Sequence, residues 1–270
     1  MERKALVLDI DGTLTNSKKE ISPATGESVR KMLAGGHLVV LASGRPAYGM
    51  RRYAGELELK KYGGYLLSHN GARIVSCATG EIVYQKALPG DLLPVLYDFA
   101  QKYGCGLATH SEDTVISAFV PDKYVALEAH INDMPIIRPE NFTGYVNFAV
   151  YKCFMTAEEA KAAVLEKMLQ ERCGTQATVG RSEPFFIEIV PANVDKGDSL
   201  EKLMQILRIK RENVICCGDG FNDLSMIQYA GVGVAMGNAQ PVLKEAADYI
   251  TAGNDEDGVA EVISKFIWKE

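Results

Sequence analysis

No apolar run in this chain reaches the roughly 18 residues that a membrane-crossing helix needs. The short run at the N-terminus carries Asp9 and Asp11, so neither a membrane span nor a signal peptide is expected and the cytoplasm is the default location. The net charge of −6 includes no cluster of basic residues, which argues against a nucleic-acid partner or an anionic membrane held by bulk electrostatics. A phosphate ligand would need a local positive site. The six cysteines, at positions 77, 105, 153, 173, 216 and 217, form no CxxC pair, and the four histidines, at 37, 69, 110 and 130, show no metal-ligand spacing. A disulfide framework and a zinc centre are thereby excluded, and the cysteines read as reduced, mostly buried thiols. Cys216 and Cys217 are adjacent within a strand-like run, where they point to opposite faces; a vicinal disulfide between them is the alternative to two free thiols. Internal repeats and low-complexity stretches are also missing.

What is present is the composition of a soluble globular protein, 47% hydrophobic and 24% charged over 270 residues, a length that suits one large or two smaller domains. The chain opens with LVLDIDGTLT, an apolar, β-prone run interrupted by two acids one residue apart. In a strand Asp9 and Asp11 project to the same face. Two unit charges about 4 Å apart repel by ~4 kcal/mol at an effective dielectric of 20, so such a strand end needs a cation, a proton or an open mouth. A strand ending in a solvated turn at Asp11-Gly12 is the alternative on this stretch alone.

The first third alternates strands and helices: LVLDI, a helix from Ser22 with Pro23 in its first turn, HLVVLAS, a helix over about 46 to 54, and YLLSHNG, followed by a hairpin across Thr79-Gly80. Strand-helix alternation predicts a parallel sheet with helices on its faces. From about residue 84 helices alternate with hairpins instead: a helix near 91 to 103, strands CGLATH and TVISAF, a helix near 122 to 132, strand VNFAVYK, a helix from Thr156 with Glu159 completing a capping-box pattern, then strands TQATV and FFIEIV. This predicts an α+β unit with an antiparallel sheet. The first pattern then returns, with helix 196 to 208, strand NVICCGD, helix 222 to 230, strand VGVAM, and further short elements to the end. The expected organisation is a doubly wound, mostly parallel (Rossmann-like) core of residues 1–85 and 189–270, with an α+β domain of residues 86–188 inserted into it.

Four polar clusters follow the expected core strands: Asp9-Ile10-Asp11-Gly12-Thr13, Ser43-Gly44-Arg45, Asp195-Lys196-Gly197 and Gly218-Asp219-Gly220-Phe221-Asn222-Asp223. In a parallel sheet the carboxyl ends of the strands share one edge, where clusters remote in sequence converge. Together they would supply carboxylates, a lysine, a hydroxyl and glycine-flanked amides, an inventory suited to Mg²⁺ and a phosphoryl group. Asp9 and Asp219 are candidate metal ligands; Asp9 is also a candidate nucleophile and Asp11 a general acid and base. Ser43 and the Gly44 amide would hold phosphoryl oxygens, and Lys196 would offset charge on the phosphate and on Asp9. Each cluster alone has a plainer reading, Asp195 as a helix cap above all. Their order and spacing favour the shared one.

On these residues the chain resembles the haloacid dehalogenase-like hydrolases. DIDGT is similar to the first family motif, Ser43 to the serine after the second strand, Lys196 to the motif lysine and GDGFND to the fourth motif; SHNGA and the insert resemble the large-capped Cof-type subfamily. The resemblance implies a metal-dependent phosphatase with an aspartyl-phosphate on Asp9. It further implies Mg²⁺ held by Asp9, the Asp11 carbonyl and Asp219, with Asp223 supporting the metal from nearby and Asn222 positioning the phosphate or Lys196. Asp195 departs from the pattern, since many relatives carry a small polar residue before the lysine. The leading expectation is hydrolysis of small phosphorylated metabolites, such as sugar phosphates or phosphorylated cofactors, with the insert acting as a lid. A phosphomutase of similar build and a receiver-like signalling domain are the alternatives. Arg181, Glu183, Phe185 and Phe186 are candidate contacts of the insert. Substrate identity and oligomeric state stay open.

Overall fold

In the computed structural model, which describes residues 2–268, the apolar runs of both ends of the chain pair side by side. The first part contributes β1 (Ala5–Leu8), β2 (Leu38–Ala42), β3 (Tyr65–Ser68), β4 (Arg73–Ser76) and β5 (Ile82–Gln85). The middle contributes β6 (Gly106–His110), β7 (Val115–Ser117), β8 (Ile136–Ile137), β9 (Cys153–Thr156), β10 (Ala177–Glu183) and β11 (Phe186–Pro191). The last part adds β12 (Val214–Gly218), β13 (Val232–Ala235) and β14 (Tyr249–Ile250). One eight-stranded sheet runs β14-β13-β12-β1-β2-β3-β4-β5, parallel from β14 to β3, with β4 antiparallel to β3. A separate six-stranded sheet runs β10-β11-β9-β6-β7-β8 and is antiparallel except between β7 and β8.

Every residue of β1, β2 and β12 is buried, as a parallel sheet covered on both faces requires, which is why these strands read as unbroken apolar runs rather than alternations. Their order also sets the site. From β1 the chain proceeds to β2 and β3 on one side, and after the middle segment it returns to β12, β13 and β14 on the other, so the connections leaving β1 and β12 diverge. That divergence opens a crevice at the carboxyl ends of these two strands. The helices of this unit start where the sequence predicts. Ser22 caps helix Pro23–Ala34, accepting from the Thr25 amide, and Asp195 caps helix Lys196–Leu207, accepting from the Asp198 amide at 2.8 Å.

Two compact units result, one from the segments before Gln85 and after Val194, the other from Gln85–Val194. In the second, β11 keeps the chain in the antiparallel sheet as far as Pro191, past residue 188. Leu107, Ile116, Cys153, Met155, Ile187 and Ile189 on its strands pack against Leu96, Ala100, Leu165 and Leu169 of helices Leu92–Tyr103 and Glu159–Cys173. Two local expectations fail here. VNFAVYK is not a strand: Val146 and Val150 are buried in this core, but the backbone between them is irregular and pairing begins only at Cys153. Nor does Thr156 cap a helix; it is the buried last residue of β9, its hydroxyl donates to Asp122 Oδ2 at 2.5 Å, and the helix begins at Glu159. All six cysteines are free thiols, and no helix among the described residues is long and apolar enough to cross a membrane.

The Asp195 cap yields a direct expectation. Asp195→Ala leaves the first turn of helix Lys196–Leu207 without its side-chain acceptor and should lower unfolding free energy by about 1 kcal/mol, read from the midpoint of urea denaturation. An unchanged midpoint would contradict the capping role.

Candidate active site

The strand that carries the first motif stops before its acids. β1 ends at Leu8; Asp9 adds one more bond, its amide to Cys217 O at 3.1 Å, and the chain then turns, with the Leu14 amide on Asp9 O and the Thr15 amide on Ile10 O. The expectation that Asp9 and Asp11 share one strand face is therefore corrected. Gly12 makes the turn possible. Its φ of +87° is in the left-handed region, and a Cβ there would collide with the carboxylate of Asp219. As a result the two acids go to different partners.

Asp9 is buried against Lys196, whose ammonium lies 2.6 Å from Asp9 Oδ1 and 2.6 Å from Asp223 Oδ1 and is itself fully buried. The other oxygen of Asp223 accepts the amides of Asp219 (3.0 Å) and Gly220 (2.9 Å), and Asp219 Oδ1 accepts from the Thr13 hydroxyl at 2.8 Å. Asp9, Asp219 and Asp223 each present an oxygen within 4.8 Å of the others. Three carboxylates thus face one ammonium, and ionising all three would leave an excess of two negative charges in a largely buried place. Burial pushes Asp9 well above the ordinary carboxylate range; Lys196 pulls it down, and Asp223 and Asp219 add to the push. Burial likewise raises Asp219 to about 6, against the Thr13 bond and with Asp223 assisting. For Lys196 burial acts to lower the pKa, but Asp223 and Asp9 outweigh it and hold the group charged. The donor set fits a hard divalent cation: it consists of oxygens only, and its excess charge is the one such an ion cancels. Asp223, with both oxygens already bonded, fits a supporting position rather than direct ligation.

Asp11 belongs to a second set. Arg45 Nε and Nη2 grip its two oxygens at 2.7 and 2.8 Å, and Lys19 Nζ lies 2.9 Å from Oδ1. Burial would raise this acid, but the bonds from Arg45 and then Lys19 hold it below the usual range. Ser43 ties this set to the loop after β2: its hydroxyl accepts the Arg45 amide at 3.2 Å and its carbonyl accepts the Asn70 amide at 2.9 Å. The side chain of Asn70 lies over Gly44, and its Oδ1 accepts from Asn222 Nδ2 at 3.0 Å. Asn70 reaches this place through backbone of positive φ at His69, Asn70 and Gly71, and a Cβ on Gly71 would run into Asp195 O and Ser199. The loops that carry Ser43, Asn70 and Asn222 are thereby joined, and Asn222 shares its loop with Asp219 and Asp223.

The structure therefore brings together Asp9, Lys196, Asp219 and Asp223, and links Ser43, Gly44 and Asn222 through Asn70. It separates the carboxylate of Asp11 from the acid cluster. Sequence reasoning assigned no role to Arg45, Lys19, Asn70 or Thr13; Arg45 and Thr13 stood inside quoted clusters, and the HNG triplet was the available sign of an unusual turn.

An acid and lysine centre at the carboxyl edge of a doubly wound parallel sheet, fed by loops from four strands, defines an α/β enzyme core with its site where such sheets place it. The family model described as haloacid dehalogenase-like hydrolase matches residues 6–263, and the chain belongs to that family. It is 30% identical over 264 residues to the 5-amino-6-(5-phospho-D-ribitylamino)uracil phosphatase YcsE of Bacillus subtilis, covering 98% of this chain and 96% of the relative. Among solved structures, a haloacid dehalogenase-like hydrolase from Bacteroides thetaiotaomicron superimposes with a TM-score of 0.95 at 44% identity, over 98% of this chain and 100% of the other. A subclass IIB sugar phosphatase of the same superfamily superimposes with a TM-score of 0.82 at 28% identity, over 97% and 98%.

The raised Asp219 links pH to stability. A carboxyl that holds its proton up to about pH 6 when folded, but only to about 3.8 when unfolded, contributes stability that is complete below 3.8 and lost as pH rises through 6. The metal-free protein loses this contribution above pH 6, where a divalent cation can bind the ionised form. Added Mg²⁺ should therefore raise the melting temperature more at about pH 8 than at about pH 5. Equal shifts at both pH values would contradict the assignment of Asp219 to a cation.

Proposed function

We propose that the protein is a Mg²⁺-dependent phosphatase of small phosphorylated metabolites, acting through an aspartyl-phosphate on Asp9. The observation that carries this reading is the charge excess of the site: three carboxylates on one buried ammonium would repel a phosphate unless a divalent cation joined them. Asp9, the Asp11 carbonyl and Asp219 would hold Mg²⁺, with Asp223 bracing Lys196 and the amides of 219 and 220. When bound, the ion would neutralise phosphoryl oxygens and align them for in-line attack.

The chain's own residues supply the rest. Lys196 holds Asp9 Oδ1, fixing the carboxylate so that its other oxygen attacks phosphorus. The bond from phosphorus to the ester oxygen breaks, and Asp11, ionised at rest against Arg45 and Lys19, relays to that oxygen the proton that the phosphate monoester monoanion brings. Water then attacks the aspartyl-phosphate, Asp11 takes a proton from that water, and the P–O bond to Asp9 breaks, which returns the carboxylate and releases inorganic phosphate. The Ser43 hydroxyl and the Gly44 amide hold phosphoryl oxygens. Asn222, fixed by Asn70, completes that cradle. Sugar phosphates and phosphorylated cofactors are the substrate classes we favour. The Bacillus subtilis relative is named for a phosphorylated ribityl compound, and a structural neighbour is named as a sugar phosphatase. We also propose that the sequence-derived domains divide the work: every residue named above lies in 1–85 or 189–270, and selectivity among leaving groups is assigned to 86–188.

Hydrolysis of p-nitrophenyl phosphate in Mg²⁺ should be abolished by stripping the metal with a chelator and restored by adding it back. Asp9→Asn, which keeps the shape but removes the nucleophile, should be folded and inactive, and Asp11→Asn should be slower by about 10² to 10⁴. Wild-type turnover in Asp9→Asn would refute the covalent route.

A further inference from the structure

The strongest feature that this mechanism leaves unused is the grip on Asp11. Resting on the phosphatase reading, we propose that Arg45 is a positioning residue, which fixes the plane of the Asp11 carboxylate for proton exchange through its side-on fork. Asp11 lies beyond the end of β1, on a turn, with its side chain 34% exposed; a carboxylate in that situation would sample several rotamers if nothing held it. Arg45 removes that freedom with two parallel charge-assisted bonds, at 2.7 and 2.8 Å, which only a planar guanidinium can form together.

Arg45 is itself held on every side. It is 8% exposed, its amide donates to the Ser43 hydroxyl, its carbonyl accepts the His69 amide at 3.0 Å, and its guanidinium lies 5.9 Å from the ring centre of Tyr53. Tyr53 is 4% exposed on helix Ala47–Glu56, and its hydroxyl reaches the Lys19 carbonyl at 3.5 Å. Tyr53 thus supports both cations that hold Asp11. The arrangement also couples two tasks, since the loop that carries the phosphate candidates Ser43 and Gly44 is the loop that aims the proton donor. Lys19 bonds to Oδ1 alongside Arg45 Nη2, whereas Oδ2 receives Arg45 Nε, so the fork engages both oxygens and fixes the carboxylate plane.

A positioning role makes the two residues energetically inseparable. Steady-state turnover of p-nitrophenyl phosphate in Mg²⁺ is to be compared for wild type, Arg45→Ala, Arg45→Lys, Asp11→Asn and the double variant Arg45→Ala/Asp11→Asn, each with its own melting curve. Arg45→Ala should lower kcat by about 10- to 100-fold and leave KM within about threefold, the mark of a misplaced catalytic group rather than a lost binding contact. In the Asp11→Asn background the same change should cost less than about threefold, because the carboxylate it positions is gone. p-Nitrophenolate leaves with little protonation, so with this substrate the losses read the other task of Asp11, taking a proton from the water that attacks the aspartyl-phosphate. Guanidinium ion should partly restore Arg45→Ala and leave the double variant unchanged. Arg45→Lys, which keeps the charge without the fork, should fall between wild type and Arg45→Ala, and it carries the same comparison if the alanine variant does not fold. Arg52→Gln, an exposed change on the same helix as Tyr53, should match wild type. Losses that multiply in the double variant, or a loss confined to KM, would overturn the proposal and make Arg45 a direct phosphate contact or a purely structural residue. A wild-type protein without phosphatase turnover would overturn the underlying reading, an outcome separate from either of these.

Discussion

One buried ammonium organises the acid cluster at the edge of the parallel sheet. Lys196 opens its helix fully enclosed, 2.6 Å from both Asp9 and Asp223, and so joins the end of β1 to the loop after β12 across 187 and 27 residues of sequence. Taking such a charge out of water costs several kcal/mol, and it is tolerated only where carboxylates sit against it. The carboxylates outnumber it. Asp223 satisfies its remaining oxygen with two backbone amides and Asp219 bonds to Thr13, and the cationic side chain that bonds to these acids among the described residues is Lys196. Stability and chemistry therefore pull in different directions here. The metal-free fold carries uncompensated negative charge at the place where a cation and a phosphoryl group are proposed to bind.

The topology explains why these residues meet at all. Because β1 lies between β12 and β2, its carboxyl end faces the loops of both halves of the sheet, and a single turn at Gly12 decides which acid goes to which half. Asp9 continues the strand direction into the Lys196 cluster on the β12 side. Asp11, carried past the turn, meets Arg45 from the β2 side. The tight approach of Gly12 to Asp219 brings the two loops together so closely that a side chain has no room between them. A separation of this kind suits two acids with different tasks, one kept against an ammonium and one held by a guanidinium in a more open place.

Much of this was legible in the sequence, for a physical reason. Strands of a parallel sheet are buried on both faces, so LVL, LVVLA and VICC read as continuous apolar runs, and any polar residue directly after them stands at the carboxyl edge. That rule located Asp9, Ser43, Asp219 and Asp223. Lys196 was marked instead by its likeness to the family's motif lysine, while Asp195 beside it is a helix cap in the structure, as in its plainer reading. What the pattern could not convey was direction. Periodicity places Asp11 on the face of Asp9 only while the strand continues, and β1 stops at Leu8, before both acids. The Arg45 fork, the bonds of Asn70 to Ser43 and Asn222, and the contact of Tyr53 with the Lys19 carbonyl are all tertiary, made by groups tens of residues apart. Thr156 shows the converse error: a Thr-x-x-Glu spacing has the form of a cap, but the buried end of β9 claimed the threonine first.

The central claim, that the Lys196 ammonium is what allows Asp9 and Asp223 to be buried side by side, is tested most directly by replacing the charge and keeping the volume. Urea unfolding of Lys196→Met, at neutral pH without divalent metal, should show a loss of about 3 to 5 kcal/mol relative to wild type, because two carboxylates are left buried without their partner. Mg²⁺ added to the variant should recover part of that loss. If Lys196→Met unfolded at the same urea concentration as the wild-type protein, the ammonium would not be the constraint on which the site depends.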